Sequence, residues 1–161
     1  MKKIILLLLT VIIGQHSVQA QTPAPVIAEL RALLQSAKTN FQGEMGVQIG
    51  ADSTSKMVFY ETNKKTTGAE TFISKQSSGQ NLYIITYNVK GENAVKLMPI
   101  VDSYVNELND MIKSGNYKGR DYKDKNGKDV TDMTDNAGNL VLRYASNTET
   151  QNLYIYGFIN K

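Results

Sequence analysis

The chain has 161 residues, 41% of them hydrophobic and 20% charged, which is enough to close one domain on its own core. It holds no cysteine and no tryptophan, and its one histidine, His16, lies near the start. Past residue 20 there is thus no Cys or His nucleophile pair, no Cys/His zinc set and no disulfide.

The formal net charge of +3 includes Lys2 and Lys3. Residues 21–161 keep sixteen basic and fifteen acidic side chains, a net of +1 without a block of like charge. The pI near 9.0 is therefore no argument for nucleic-acid binding.

Residues 1–20 read as an export signal. A basic start at Lys2 and Lys3 precedes the apolar run Ile4 to Ile13, and Val18-Gln19-Ala20 supplies the small residues that a signal peptidase reads. The run is shorter than the roughly 20 residues that a membrane span needs. The expectation is cleavage before Gln21 and export to the periplasm or the medium, with no membrane span after cleavage. Residues 21–161 then form a single domain.

From Pro25 the sequence "PVIAELRALLQSAKTNF" sets Val26, Ile27, Leu30, Leu33, Leu34, Ala37 and Phe41 at helical spacing. Glu29, Arg31, Gln35 and Lys38 take the opposite side, and Pro25 suits the first helical position. Four segments rich in β-formers follow, at Glu44–Ile49, Lys56–Glu61, Ala69–Lys75 and Asn81–Val89, with Gly79 marking a turn.

From Pro99, "PIVDSYVNELNDMIKSG" repeats the helical stripe with Ile100, Val101, Tyr104, Val105, Leu108, Met111 and Ile112, and Gly115 ends it. Strand segments follow at Tyr117–Asp124, Lys128–Thr134, Asn139–Ser146 and Gln151–Ile159. Asn126-Gly127 suits a two-residue hairpin turn, and Gly138 marks another.

Two short matches tie the halves together. Asn40–Gly43 ("NFQG") is answered by Asn116–Gly119 ("NYKG"), and "QNLYI" stands at both Gln80–Ile84 and Gln151–Ile155. Their common order predicts a duplicated helix-plus-strand unit, about 25–90 and 99–160. The fold expected is α+β, a tandem pseudo-repeat of a helix followed by an antiparallel strand meander, with the helices on one face of the sheet. In architecture alone this is similar to secreted inhibitor and PepSY-type modules, although none of their motifs occurs in this chain.

Alternation divides the two repeated strands into faces. Leu82, Ile84 and Thr86, with Leu153, Ile155 and Ile159, make aliphatic sides expected beneath the helices. Tyr83, Tyr87, Tyr154, Tyr156 and Phe158 make aromatic sides. These five are the candidate binding residues if the aromatic face is uncovered; the alternative is that loops or the curl of the sheet bury them.

Other candidates are weaker. The acidic stretch Asp121–Asn139 fails the calcium-loop pattern, because Tyr122 and Met133 stand where ligands belong. Ser53–Lys56 ("STSK") has serine–lysine spacing but lacks the companion motifs of penicillin-binding enzymes. Glu44, Glu61 and Glu70 are the carboxylates available for acid–base work, and no spacing pairs them. No catalytic residue, metal or cofactor is nominated. The function expected is non-catalytic binding, first of a protein partner at the aromatic face. A small apolar ligand between sheet and helices is second, and a carboxylate hydrolase third.

Overall fold

In the computed structural model, the backbone is described for residues 24–147 and 152–157, and side chains for 26–146 and 157. The expected signal at 1–20 lies outside the described residues. The element order is α1 (Ala24–Ala37), β1 (Met45–Asp52), β2 (Met57–Thr62), β3 (Glu70–Lys75) and β4 (Asn81–Asn88). Then come α2 (Asn93–Lys113), β5 (Lys118–Lys123), β6 (Asp129–Thr134), β7 (Leu140–Asn147) and β8 (Asn152–Gly157). Each of the eight expected strand segments overlaps one strand, with β1 running on past Ile49 to Asp52.

The strands form one antiparallel sheet in the order β1-β2-β3-β4-β8-β7-β6-β5. Two four-stranded meanders thus meet along β4 and β8. The protein is α+β, and both helices join a single core with residues from both meanders. In α1, Val26, Leu30, Leu33, Leu34 and Ala37 are buried, the spacing of one helical face. In α2 the buried stripe is Val101, Tyr104 and Leu108. Among the described residues no helix is long and apolar enough to cross a membrane.

α2 begins six residues earlier than its sequence suggests, so Pro99 falls inside the helix. Proline there removes the hydrogen bond to the Val95 carbonyl. Val95 is exposed, so water can take that carbonyl. Leu97 and Ile100 in the first turns of α2 still pack against the core, and Ser103 Oγ donates back to the Pro99 carbonyl at 2.7 Å.

The hairpin turn at Asn126-Gly127 also differs from expectation. Gly127 N–H bonds to the Asp124 carbonyl and Asp124 N–H to that of Lys128, with positive φ at Gly127 and not at Asn126. This is a three-residue loop with a left-handed glycine, and not a two-residue turn. The same hydrogen bonds recur at Gln76–Gln80 and Asp135–Asn139.

The faces of β4 are the reverse of those expected. Tyr83, Ile85 and Tyr87 lie in the core with the helices, at 1%, 0% and 0% exposure. Leu82, Ile84 and Thr86 point to the other side of the sheet, which carries no helix among the described residues, although Leu82 and Ile84 are buried there too, at 8% and 9%. The tyrosines fit beneath helices because each hydroxyl finds an acceptor at the margin of the core. Tyr83 OH donates to the Lys64 carbonyl at 2.6 Å and Tyr87 OH to the Thr67 carbonyl at 3.2 Å.

The paired register carries the point to β8. Tyr83 stands opposite Gly157, Ile85 opposite Ile155 and Tyr87 opposite Leu153. Leu153 therefore occupies a helix-side position while Leu82 occupies a helix-free one. The two QNLYI copies are one residue out of phase, and a slip of one residue exchanges the faces.

The other matched motif also takes two shapes. Asn40 and Phe41 both have positive φ, at 55° and 54°, whereas after α2 it is Gly115 that turns left-handed, at 77°. The first corner is held by Asn40, whose Oδ1 accepts from Asn81 N–H at 2.8 Å and whose Nδ2 donates to the Gly79 carbonyl at 3.1 Å. Phe41 is fully buried, 5.5 Å from the Tyr83 ring centroid, and lies over Gly157. A Cβ at Gly157 would come within 2.8 Å of Phe41 Cζ.

Candidate binding face

The side of the sheet away from the helices is built by residues that alternate with the core set. Across the strands the register aligns one row: Arg120 with Asp132, Asp132 with Arg143, and Arg143 with Tyr156. The row continues from Tyr156 to Ile84, from Ile84 to Phe72, and from Phe72 to Glu61. Seven adjacent strands at about 4.8 Å spacing make such a row roughly 30 Å wide.

The two ends of the row differ in chemistry. At the β1–β3 end, Phe59 and Phe72 pack edge to face at 5.8 Å, both half-buried. Beside them on the edge strand β1, Val47 and Ile49 are 71% and 56% exposed. Two register irregularities bend β1 against β2, as bulges do on edge strands. The β5–β7 end is polar and cationic. Arg143 grips Asp132 through both carboxylate oxygens, Nη2 to Oδ2 at 2.9 Å. The guanidinium carbons of Arg120 and Arg143 lie 5.7 and 5.9 Å from the Tyr122 ring centroid.

The five expected site residues are divided by this arrangement. Tyr83 and Tyr87 are core, a correction of the exposed-aromatic reading, and cannot touch a partner without unfolding. Tyr154 and Tyr156 stand in register with Thr86 and Ile84, positions of the helix-free face, while their side chains lie outside the described residues. Phe158 lies wholly outside them. Phe59, Phe72 and Tyr122 were missed. Their segments, "MVFYET", "ETFISK" and "KGRDYK", alternate, but periodicity alone could not say which phase faced the helices.

The buried tyrosines are joined by a carboxylate. Glu29 Oε2 accepts from Tyr104 OH at 3.0 Å and from Thr67 N–H at 3.1 Å, and its Oε1 accepts from Thr67 Oγ1 at 2.6 Å. Burial pushes the Tyr87 and Tyr104 hydroxyls far above the ordinary tyrosine range, with nearby Glu29 acting in the same direction. The network ties the loop before β3 to both helices.

The remaining candidates read as structure. Glu61 and Glu70 are exposed on the helix-free face, whereas Glu44 accepts from Ser36 Oγ at 3.0 Å beside α1. Among the described residues no three acidic groups converge on a metal position. Asp124 caps its own turn, accepting from Asn126 and Lys128 N–H at 2.8 and 2.9 Å. The Ser53–Lys56 stretch is the β1–β2 loop, where the Ser55 hydroxyl and the Thr54 N–H donate to the Asp52 carboxylate.

No family model, curated protein or solved structure matches this chain.

Proposed function

We propose that the protein is an exported, non-catalytic binding module that engages a protein partner through the helix-free face of its sheet. One observation carries the reading: that face joins the Phe59–Phe72 pair to an Arg120–Tyr122–Arg143 cluster, with exposed Val47 and Ile49 on the edge strand beside it. Aromatic residues and arginine are the types that dominate interface energetics. A face roughly 30 Å wide and one strand deep approaches the about 800 Å² per partner of a standard interface.

The α-then-four-strand order of both halves supports duplication as the origin of this wide sheet. In that reading the copies have since drifted by one residue at β4 and β8. The proposed export rests on the composition of residues 1–20.

The test is affinity capture from the envelope and medium of the producing cell, with residues 21–161 as bait. Val47→Asp and Ile49→Asp place charge on exposed positions and should abolish capture while leaving the melting temperature within a few degrees. Lys96→Asp, exposed on α2 on the other side of the sheet, should capture normally. Equal capture by all of these variants would remove the face from consideration.

A further inference from the structure

A second site lies on the opposite side of the molecule, where α1 and the end of α2 face the β6–β7 turn. There an open cleft of about 810 Å³ is bounded by both helices, Asn116 and Tyr117, and the turn Asp135–Ala137. That volume is within the roughly 300–1,000 Å³ typical of small-molecule sites.

The helix supplies one wall by its spacing. Arg31, Leu34, Gln35 and Lys38 follow the i, i+3, i+4, i+7 pattern, so one stripe of α1 and the turn after it carries an apolar centre with polar ends. Leu34, Ala37 and Val141 are buried and form an apolar floor, while Met111 and Tyr117 are half-buried beside it.

The charges around this floor are unequally engaged. Asp135, the acid on the wall, has both oxygens committed to its own turn: Asn139 N–H donates at 2.8 Å and Asn139 Nδ2 at 2.9 Å. Arg31 gives Nε and Nη2 to one oxygen of Glu107, at 3.0 and 2.7 Å, which leaves Nη1. The Lys38 ammonium has no hydrogen bond or ion pair among the described residues, nor does the Gln35 amide. Asp135 is thus engaged by its own turn and Arg31 is paired with Glu107, which leaves Lys38 as the lining cation without a partner among the described residues.

From this we infer that the cleft binds a small amphiphile with a carboxylate head and an apolar body. The body lies on Leu34, Ala37 and Val141, and the head meets Lys38 with the free edge of Arg31. This site is separate from the proposed partner face and does not depend on it.

The probes are decanoate and decanol, which share chain length and differ in the charge of the head, titrated into residues 21–161 by calorimetry. Decanoate should bind about tenfold or more tightly than decanol, the size of one charge-assisted contact. Lys38→Gln should bring the two within about threefold of each other, at unchanged melting temperature. Ala137→Trp, on the exposed turn at the mouth, should weaken both probes. Equal binding of the two probes, no binding of either, or a preference untouched by Lys38→Gln would each overturn the inference.

Discussion

At the scale of single residues, the hydroxyl of a tyrosine decides what its ring can do. Tyr83 is buried against Phe41, and its hydroxyl still reaches the Lys64 carbonyl. Tyr83→Phe should therefore cost about 1 kcal/mol, one hydrogen bond, whereas Tyr83→Ala should cost about 3–5 kcal/mol for the cavity it opens. Urea melts of both variants check this. A Tyr83→Ala protein as stable as its parent would overturn the placement of β4.

The ionisable residues set opposite limits on pH. Hydrogen bonds within their turns hold the carboxyls of Asp52, Asp124 and Asp135 below the ordinary value of 3.8. Lowered folded values give stability that is present above the unfolded pKa and lost as pH falls below it. Tyr87 and Tyr104 are raised above 10.0. The unfolded chain then loses these protons first, so stability declines as pH rises past 10. Melting temperature should be flat from pH 5 to 9 and fall on both sides. Phenolate absorbance from the two buried tyrosines should appear only with unfolding.

At the scale of elements, α2 carries a proline where a helix ordinarily excludes one. Val95 is exposed, so its open carbonyl can be solvated, yet the hydrogen bond is still absent. Pro99→Ala should raise stability by about 1–3 kcal/mol, measured by denaturant titration, since proline is about 3 kcal/mol less favourable than alanine within a helix. A loss of stability would mean that Pro99 sets the path of the chain into α2. The sheet edges differ in the same practical way. β5 carries Lys118, Arg120, Asp121 and Lys123, charges that discourage strand pairing, and β1 from Met45 to Ala51 carries none. β1 relies on its bulges, and it is the edge beside the proposed partner face.

At the scale of the molecule, two four-stranded meanders share one sheet because β4 pairs with β8. That seam brings Phe41 of the first half over Gly157 of the second. Gly157→Ala should destabilise by about 1–3 kcal/mol, as overpacked cores do, because Phe41 is fully buried and has nowhere to move. An unchanged urea midpoint would show that the seam is looser than described. The proposed export is also a whole-molecule matter. The mass of the protein recovered outside the cytoplasm should correspond to a chain beginning at Gln21, and recovery of a full-length cytoplasmic form would end that proposal.

The sequence by itself determined the elements. Helical spacing from Val26 to Ala37 and from Val101 to Leu108, and turn glycines at Gly79, Gly127 and Gly138, are local signals that place helix, strand and loop, though not the early start of α2 or the length of the Gly127 loop. The absence of Cys and of any His past residue 20 was equally legible, because composition needs no geometry. Tertiary structure alone decided which face of each strand met the helices. Leu82 and Tyr83 differ in phase by one residue, both phases are hydrophobic, and a pattern with two apolar faces contains no instruction for choosing between them. The choice came from distant partners: the Lys64 and Thr67 carbonyls that accept the tyrosine hydroxyls, and Gly157, which leaves room for Phe41. For the same reason the helix-free face, with Phe59, Phe72, Arg120 and Arg143, could not be assembled from the sequence. Its members come from strands far apart in the chain, and only the β4–β8 pairing makes them one surface.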